Sequence, residues 1–268
     1  MIGRQNYGDI NKKGLNKKKY ATIGHCLYVS NKYVLQGNSM SNLVAYKSNA
    51  LIEASYKLTL QEQRVLLMCI GKLNPTDENP EKKFQLTASE FFLAFPDMGK
   101  ENAERHLQSA IDRLWDRSII INWRDKKEEI RWIQGRAKYH TGEGRIELVF
   151  SDLIMPYLTQ LKGQFTSIAV KNVSALKRTY SIRIYELLMQ FKKTGDRLVH
   201  LDDFRSMLGL EDKYSQFKRL NDDVIKPAIK ELNEKSDLSV SVDTIKNGRK
   251  VVSLHFQFQQ DKQIKIAI

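Results

Sequence analysis

Lys246, Arg249 and Lys250 crowd around Asn247-Gly248, and Arg219, Lys226 and Lys230 recur along the segment before them, with Lys213 and Lys218 at its start. Ammonium and guanidinium groups gathered in this way neutralise phosphates. A guanidinium can also bond the edge of a guanine with two parallel hydrogen bonds. This is chemistry of binding rather than of bond making. The whole chain agrees with it: 268 residues carry a net charge of +13, which predicts a polyanionic partner, with nucleic acid first among the choices.

Residues that could make or break bonds do not converge. His25, His106, His140, His200 and His255 are scattered, and no pair has the His-apolar-His spacing that would hold the metal of a nicking enzyme. Tyr180 and Tyr185 lack any partner that would activate a phenol. Gly71-Lys72 is followed by Leu73 and Gly99-Lys100 by Glu101, so neither is a phosphate-cradling loop of the nucleotide-hydrolysing kind. Asp202-Asp203 suits the start of a helix, where the macrodipole favours acid. Asp222-Asp223 can pair with Arg219 and Lys226 at helical spacing. Cys26 and Cys69 have no metal-ligand spacing and are too few for a disulfide framework. No catalysis, metal or cofactor is expected.

The cations need elements to hold them. Phe217, Leu220, Val224, Ala228 and Leu232 recur at helical steps, with Arg219, Asp222, Asp223, Lys226 and Lys230 on the other side. The period then changes to two. Leu238, Val240 and Val242 alternate with Ser239, Ser241 and Asp243, and Val252, Leu254, Phe256 and Phe258 line the return strand. Asn247-Gly248 is read as the tight turn between them. Helix, hairpin and a basic tip describe a winged helix, with the helix in a major groove and the wing on the backbone. Pro227 interrupts the helical run. A proline there removes a donor and crowds the preceding turn, so either the helix bends or two segments meet near Lys226; one bent helix is the reading adopted.

Upstream, Met1 to Ser41 is lysine-rich and is read as a basic, disordered tail without an apolar leader segment. Asn42 to Ser55 reads as a helix on Leu43, Tyr46, Ala50 and Ala54. Thr59 with Glu62, and Thr87 with Glu90, have capping-box spacing, and Pro96 ends the second of these helices. Glu101 to Arg117 is amphipathic, with Ala103, Leu107, Ala110, Ile111 and Leu114 inward. Ile119, Ile121 and Trp123 alternate as a strand, Asp125 to Glu129 reads as a charged turn, and Ile130 to Tyr139 as a second strand. Thr141 to Gly144 turns into Ile146, Leu148 and Phe150. Ser151 is read as capping a helix that ends near Leu161. Ser174 to Lys193 is a central helix, and Leu201 to Leu208 a short one closed by Gly209. No apolar run approaches the roughly 18 residues of a membrane span, and a reducing cytoplasm is the expected compartment.

The order repeats. Ala110-Ile111, Leu114 and Ser118 match Ala228-Ile229, Leu232 and Ser236 at an offset of 118, and the helix around Arg64 corresponds to that around Arg183. The expected fold is α+β: two tandem winged-helix domains with pseudo-twofold similarity, each a helical cluster with a small antiparallel hairpin or sheet. Two unrelated α+β modules are the alternative. The domains are placed at 42–161 and 173–258, joined by 162–172, with tails at 1–41 and 259–268.

Three stretches resemble one family. They are Asn172-Val173-Ser174 with Thr179 to Leu188 (an arginine-tyrosine helix opening the second domain), Val224 to Asn233 followed by Lys246 to Arg249, and Leu43-Val44 with Leu60 to Arg64. The family is the iteron-binding plasmid replication initiators of the RepE, RepA and π type. The resemblance spans about Asn42 to Phe258. It implies binding to direct repeats in duplex origin DNA, melting of an adjacent AT-rich segment, and recruitment of host helicase, a DnaA-type initiator and primase. It also implies a dimer that represses its own gene and a monomer that initiates. Several members carry a basic cluster where this chain has Asn221-Asp222-Asp223, so the expected groove-facing residues are Arg219, Lys226 and Lys230, with Lys213 and Lys218 near the helix start. Lys246, Arg249 and Lys250 hold phosphates from the wing, and Arg105 is the candidate of the first domain. The other readings are a winged-helix transcription repressor with no replication role, a nicking or priming enzyme, and an adaptor for other proteins.

Overall fold

The computed structural model describes residues 42–139, 142, 144–159, 161 and 164–261. The lysine-rich stretch Met1 to Ser41, His140, Thr141, Glu143, Gln160, Lys162, Gly163 and the tail after Asp261 lie outside the described residues, and so do the expectations that fall on them.

The first described element corrects the sequence reading. Val44–Ser48 is a strand, β1, rather than part of a helix, because its partner lies more than a hundred residues away at 165–169. Ala45 and Lys47 turn inward, and Ser48 Oγ then accepts from the Leu51 N–H to open a short α1 (Asn49–Glu53). Thr59 and Glu62 form the expected capping box ahead of α2 (Leu60–Gly71), which is buried without a break from Glu62 to Ile70. After the proline-bearing loop comes β2 (Lys83–Thr87), a strand the sequence reading lacks. The second capping box, Thr87 with Glu90, opens α3 (Ala88–Ala94), and the chain tightens into a 3₁₀ turn at Pro96–Met98. The helix α4 (Lys100–Leu114) buries the five residues its period assigns to the core.

A hairpin follows, β3 (Ser118–Asn122) and β4 (Lys127–Arg131). The charged turn is tighter than expected, closed by Trp123 N–H on Lys126 O at 2.8 Å, and Trp123 lies exposed beyond the strand. The expected strand from Ile130 to Tyr139 is two, broken at the fully buried Trp132, so that β5 (Ile133–Lys138) joins a different sheet with β6 (Arg145–Phe150). Ser151 Oγ does accept from the Ile154 N–H, yet only a 3₁₀ turn forms at Met155–Tyr157, where Pro156 withdraws a donor. The stretch read as a link contains β7 (Phe165–Ala169), the partner of β1, and leads into α5 (Val170–Val173). The central helix α6 (Thr179–Met189) starts after a break at Leu176 to Arg178. A second unforeseen strand, β8 (Asp196–His200), precedes α7 (Leu201–Met207). Gly209 closes α7 at φ +65°, placing the Leu210 N–H 2.8 Å from Arg205 O.

The segment before the wing is one bent helix with an identifiable cause. It runs as α8 (Phe217–Leu220), a π turn at Asn221–Ile225, and α9 (Lys226–Lys235). The Lys226 N–H reaches back five residues to Asn221 O, and Pro227 follows at once. A wider turn accommodates the residue that has no N–H and adds one residue to the helix. That extra residue re-aligns the apolar face. Leu220, Val224, Ile225, Ala228 and Leu232 are all at most 1 % exposed, which a strict 3.6-residue period would not give to Ile225 and Leu220 together.

β9 (Leu238–Asn247) and β10 (Lys250–Gln260) make the wing. Asn247 pairs with Lys250, so the turn residues are Gly248 and Arg249, one position beyond the expected pair, with φ +60° at Gly248 alone. A II′ turn needs positive φ only there. A bulge between Val251 and Ser253 turns Val252 outward, against expectation, while Leu254, Phe256 and Phe258 stay buried.

The two larger sheets share one plan. Their strand orders are β2-β6-β5 and β8-β10-β9: in each, the strand before a short helix pairs with the last strand, which pairs with the middle one. In each half a buried central helix (α2 or α6), a short helix (α3 or α7) and a longer one (α4 or α8–α9) precede the wing. Leu114 and Leu232, 118 positions apart, are both fully buried at the ends of the longer helices. The expected pseudo-twofold α+β architecture is what the chain adopts.

Candidate nucleic-acid interface

The π turn decides which cations share a face. One added residue rotates everything after it back by about 100°. Lys218, Lys226 and Lys230 thereby fall within about 40° of one another, while Arg219, which a regular helix would align with Lys226, is turned about 100° aside. Lys218, Arg219, Lys226 and Lys230 are all exposed. Lys226 Nζ is held 2.9 Å from Asp222 Oδ1, the intrahelical pair that the spacing allows, and Lys230 Nζ lies 3.8 Å from Glu234. Exposed pairs of this kind contribute well under about 1 kcal/mol and yield readily to a phosphate.

Two residues outside the expected set join this face. Lys177 and Arg178 line a concavity of about 760 Å³ together with Lys226, Pro227 and Lys230. Their backbone N–H groups donate to the buried Glu231 carboxylate, which also accepts from Ser181 Oγ at 2.6 Å. Glu231 is thus occupied in holding the break before α6, and the two side chains project as free cations among the described residues. The signal is present in the sequence as a basic pair just ahead of α6, but its nearness to α9 is a tertiary fact.

Lys246, Arg249 and Lys250 cluster at the wing tip, exposed and without ion-pair partners among the described residues. Lys213 stands apart from both groups. It lies in the loop between α7 and α8 and lines the cleft between the two halves, rather than continuing the helix.

The first half presents a more neutral counterpart. Arg105 is exposed on α4 and donates to Asn102 Oδ1 at 2.7 Å. Asp112 on the same helix takes Arg136 at 3.2 Å and Lys138 at 2.9 Å from β5, so the first wing is tied to its helix by charge. The Arg136 guanidinium also stacks over Trp115, 5.1 Å from the ring centre. Arg113 is exposed near the C-terminus of α4 and extends the basic surface beyond Arg105.

Both halves are mounted on buried arginines. Arg64 of α2 donates to Asp97 at 2.9 Å and to Leu176 O at 3.0 Å, and lies over the Phe95 ring. Arg183 of α6 donates to Glu186 at 2.7 Å, to Ile52 O and Met207 O at 2.8 Å, to Ala54 O at 3.1 Å, and to the Tyr56 hydroxyl. Glu186 also takes Lys47 Nζ from β1 at 2.6 Å. Each central helix therefore bonds to backbone of the other half.

Cys69 and Tyr185 are buried in this framework, and Tyr180 is half-buried beside the cleft. Burial pushes the Cys69 thiol up to about 12. Burial also raises the Tyr185 phenol, whose hydroxyl donates to Asp237 at 2.9 Å and accepts from Asn172. Tyr180 is raised too, by burial first and then by Tyr214. Among the described residues no group of three or more His, Cys, Asp or Glu is placed to hold a metal ion, and no helix is long and apolar enough to cross a membrane.

Two family descriptions match the chain in turn: "Initiator Replication protein, WH1" over residues 44–189, which runs through α6, and "Initiator Rep protein, WH2" over 200–258. The chain belongs to the initiator replication protein family. A "Replication initiation protein" of Escherichia coli is 38 % identical over 235 residues, covering 85 % of this chain and 73 % of that one. The "PI protein" of Escherichia coli is 30 % identical over 151 residues, half of this chain and 48 % of its own length. A crystal structure of the Pi initiator protein in complex with iteron DNA superposes with a TM-score of 0.71 at 21 % identity, covering 83 % of this chain and 99 % of that one. In this initiator, α4 with the β5–β6 wing lies inside the WH1 match, and α8–α9 with the β9–β10 wing inside the WH2 match.

Proposed function

We propose that this initiator starts plasmid replication by binding direct repeats in an origin, one winged helix per groove segment, without catalysing a reaction itself. The organisation behind the proposal is a first domain at 42–161, a second at 173–258, and a link between them at 162–172. In the second domain Lys218, Lys226 and Lys230 face the major groove, with Arg219 at the flank of the same helix, while Lys213 lies apart in the loop before α8. Lys246, Arg249 and Lys250 hold phosphates from the wing. Arg105 positions the first domain on the backbone. The observation that carries this reading is the repeated strand order, with an exposed, basic helix-plus-wing surface in the second copy. The Pi initiator, a relative by sequence and fold, is described bound to iteron DNA, which supports the choice of direct repeats. In keeping with the family, the bound protein opens adjacent AT-rich DNA in the cytoplasm and recruits helicase, a DnaA-type protein and primase. A dimer represses the chain's own gene and the monomer initiates.

Footprinting of the purified protein on DNA flanking its own gene, across a salt series, tests this. Regularly spaced protected repeats, bound far more tightly than random DNA, are the expected result. A single protected palindrome would make the protein a repressor instead. Uniform, salt-labile coating would reject sequence reading by this surface altogether.

A further inference from the structure

The two halves start their central helices in different ways. In the first half the start of α2 is capped locally, by Thr59 and Glu62. In the second half Arg178, the residue ahead of α6, gives no side-chain cap, and the acceptor comes from α9 instead. Glu231 of α9 takes the Lys177 N–H at 2.9 Å, the Arg178 N–H at 3.1 Å and Ser181 Oγ at 2.6 Å. The offset of 118 that relates the halves sets Glu231 against Arg113 of α4. A buried carboxylate thus stands in the second half where the first half has an exposed guanidinium.

The consequence is a basic pair held in place. A carboxylate that accepts bonds from backbone N–H groups makes strong, directional contacts, and these fix the chain at 177–178 against α9. The Lys177 and Arg178 side chains are exposed, and neither has an ion-pair partner among the described residues. They line the concavity of about 760 Å³ from one side, and Lys226, Lys230 and Lys235 line it from α9. The two carboxylates there are engaged. Glu231 serves the cap and lies 3.6 Å from Lys235, and Glu234 lies 3.8 Å from Lys230. The N–H groups at 177–178 are consumed by Glu231, so the attraction for an anion comes from side chains alone. These flank the concavity from two elements, which suits a strand of phosphates passing between them. The helix that borders it carries Asp222 and Asp223, whose charge opposes the approach of DNA, so cations off the helix have the greater share of the attraction to supply. We propose that Lys177 and Arg178 grip the phosphate backbone of the strand bordering the groove that α9 enters, with Glu231 as the positioning residue that sets them against the helix. This rests on the reading of α8–α9 as the groove-facing helix.

The test is the salt dependence of binding of the full chain to two short duplexes, one of random sequence and one carrying a footprinted repeat. Lys177→Ala and Arg178→Ala should each weaken both duplexes alike and lower the slope of log affinity against log salt by about 0.9. Lys177→Arg, which keeps the charge, should retain the wild-type slope. These changes fall on exposed side chains and leave the fold intact. Glu231→Gln separates positioning from charge. Removing an anion beside DNA would by itself tighten binding, whereas releasing the grip weakens it and lowers the slope by up to about two. Weaker binding is expected, and a Glu231→Gln protein that binds more tightly would overturn the positioning role. A neutral methylphosphonate moved along each strand of the repeat locates the contact. Positions sensitive in the wild type should become indifferent in the Lys177→Ala/Arg178→Ala protein, while those held by the wing stay sensitive. Lys230→Ala and Lys246→Ala report on the helix and the wing. If these two lower the slope while Lys177→Ala and Arg178→Ala do not, the grip is overturned and the groove reading stands. If Lys177→Ala and Arg178→Ala lower the slope on random DNA although no repeat is footprinted, the grip stands and sequence reading by α8–α9 fails.

Discussion

At the scale of the single residue, the outcome turns on which charges are already satisfied. Lys218 and Lys230 project from one side of the α8–α9 helix, and Arg219 is rotated off it by the π turn. Lys218→Ala and Lys230→Ala are therefore expected to weaken binding to every site alike and lower the salt slope by about one each, while Arg219→Ala costs less than either. Competition binding on an origin repeat across salt concentrations measures all three, and a dominant Arg219 effect would mean that the helix reads DNA from its flank. A different charge governs stability. Burial alone would raise the Glu90 carboxyl, but the 2.9 Å bond from Lys72 and the Thr87 N–H outweigh it and hold Glu90 below its ordinary 4.5. The unfolded chain then binds that proton more tightly than the folded one. The resulting stability is complete above 4.5 and is lost as pH falls through the depressed folded value. Glu90→Gln should flatten that acid limb in a plot of Tm against pH, and an unchanged limb would place the acid sensitivity elsewhere. The capping role of Glu90 is legible from its spacing to Thr87. The partner that lowers its pKa is not, because Lys72 comes from another element.

At the scale of the element, local signals are legible in the sequence and remote ones are not. The capping boxes at Thr59 and Thr87, the inward face of α4, and Gly209 as a helix stop all depend on neighbours within a few residues. β1, β2 and β8 are short, and each is fixed by a partner 53 to 125 residues away (Ser253 for His200, Ala169 for Val44), which no window along the chain contains. Pro227 is plain in the sequence, but its consequence is a changed helical register rather than a simple bend. Two forces act there. Returning the missing N–H by Pro227→Ala offers one further hydrogen bond, about 1 kcal/mol net. Closing the π turn would rotate Ile225 out of the core, a loss of about 1.5–3 kcal/mol. Burial of Ile225 outweighs the added hydrogen bond, so the π turn should persist in Pro227→Ala with stability changed by no more than about 1 kcal/mol. Backbone ¹³C shifts over 221–226 and a denaturant melt decide it, and a regular helix in the variant would show that proline, not packing, dictates the turn.

At the scale of the whole molecule, the internal repeat is legible as a spacing, but the way its halves are fastened is not. Arg64 and Arg183 occupy matching places on α2 and α6, and their role as reciprocal clamps emerges only when each meets backbone of the other half. The cluster around Glu186 is the strongest crossing point. Lys47 of β1, Tyr56 and Arg183 all converge on one buried carboxylate. Burial pulls the Lys47 ammonium below its ordinary 10.5 even with Glu186 beside it. Burial would raise Glu186, but Lys47 and Arg183 together hold it below its usual value. Removing that one carboxylate leaves two cations buried without an anion, a change of about 3–5 kcal/mol. The readout can be made specific to each half, because Trp115, Trp123 and Trp132 all lie in the first half, and Trp132 packs edge-on to Tyr56 at 5.3 Å. In the wild type, tryptophan fluorescence and far-ultraviolet circular dichroism should give one coincident unfolding transition. In Glu186→Ala, a substitution in α6 of the second half, both signals should move to lower denaturant together. If fluorescence kept its midpoint while the dichroism signal split, the halves would unfold independently, and the clamps would be local packing rather than the joint that fixes one reading surface against the other.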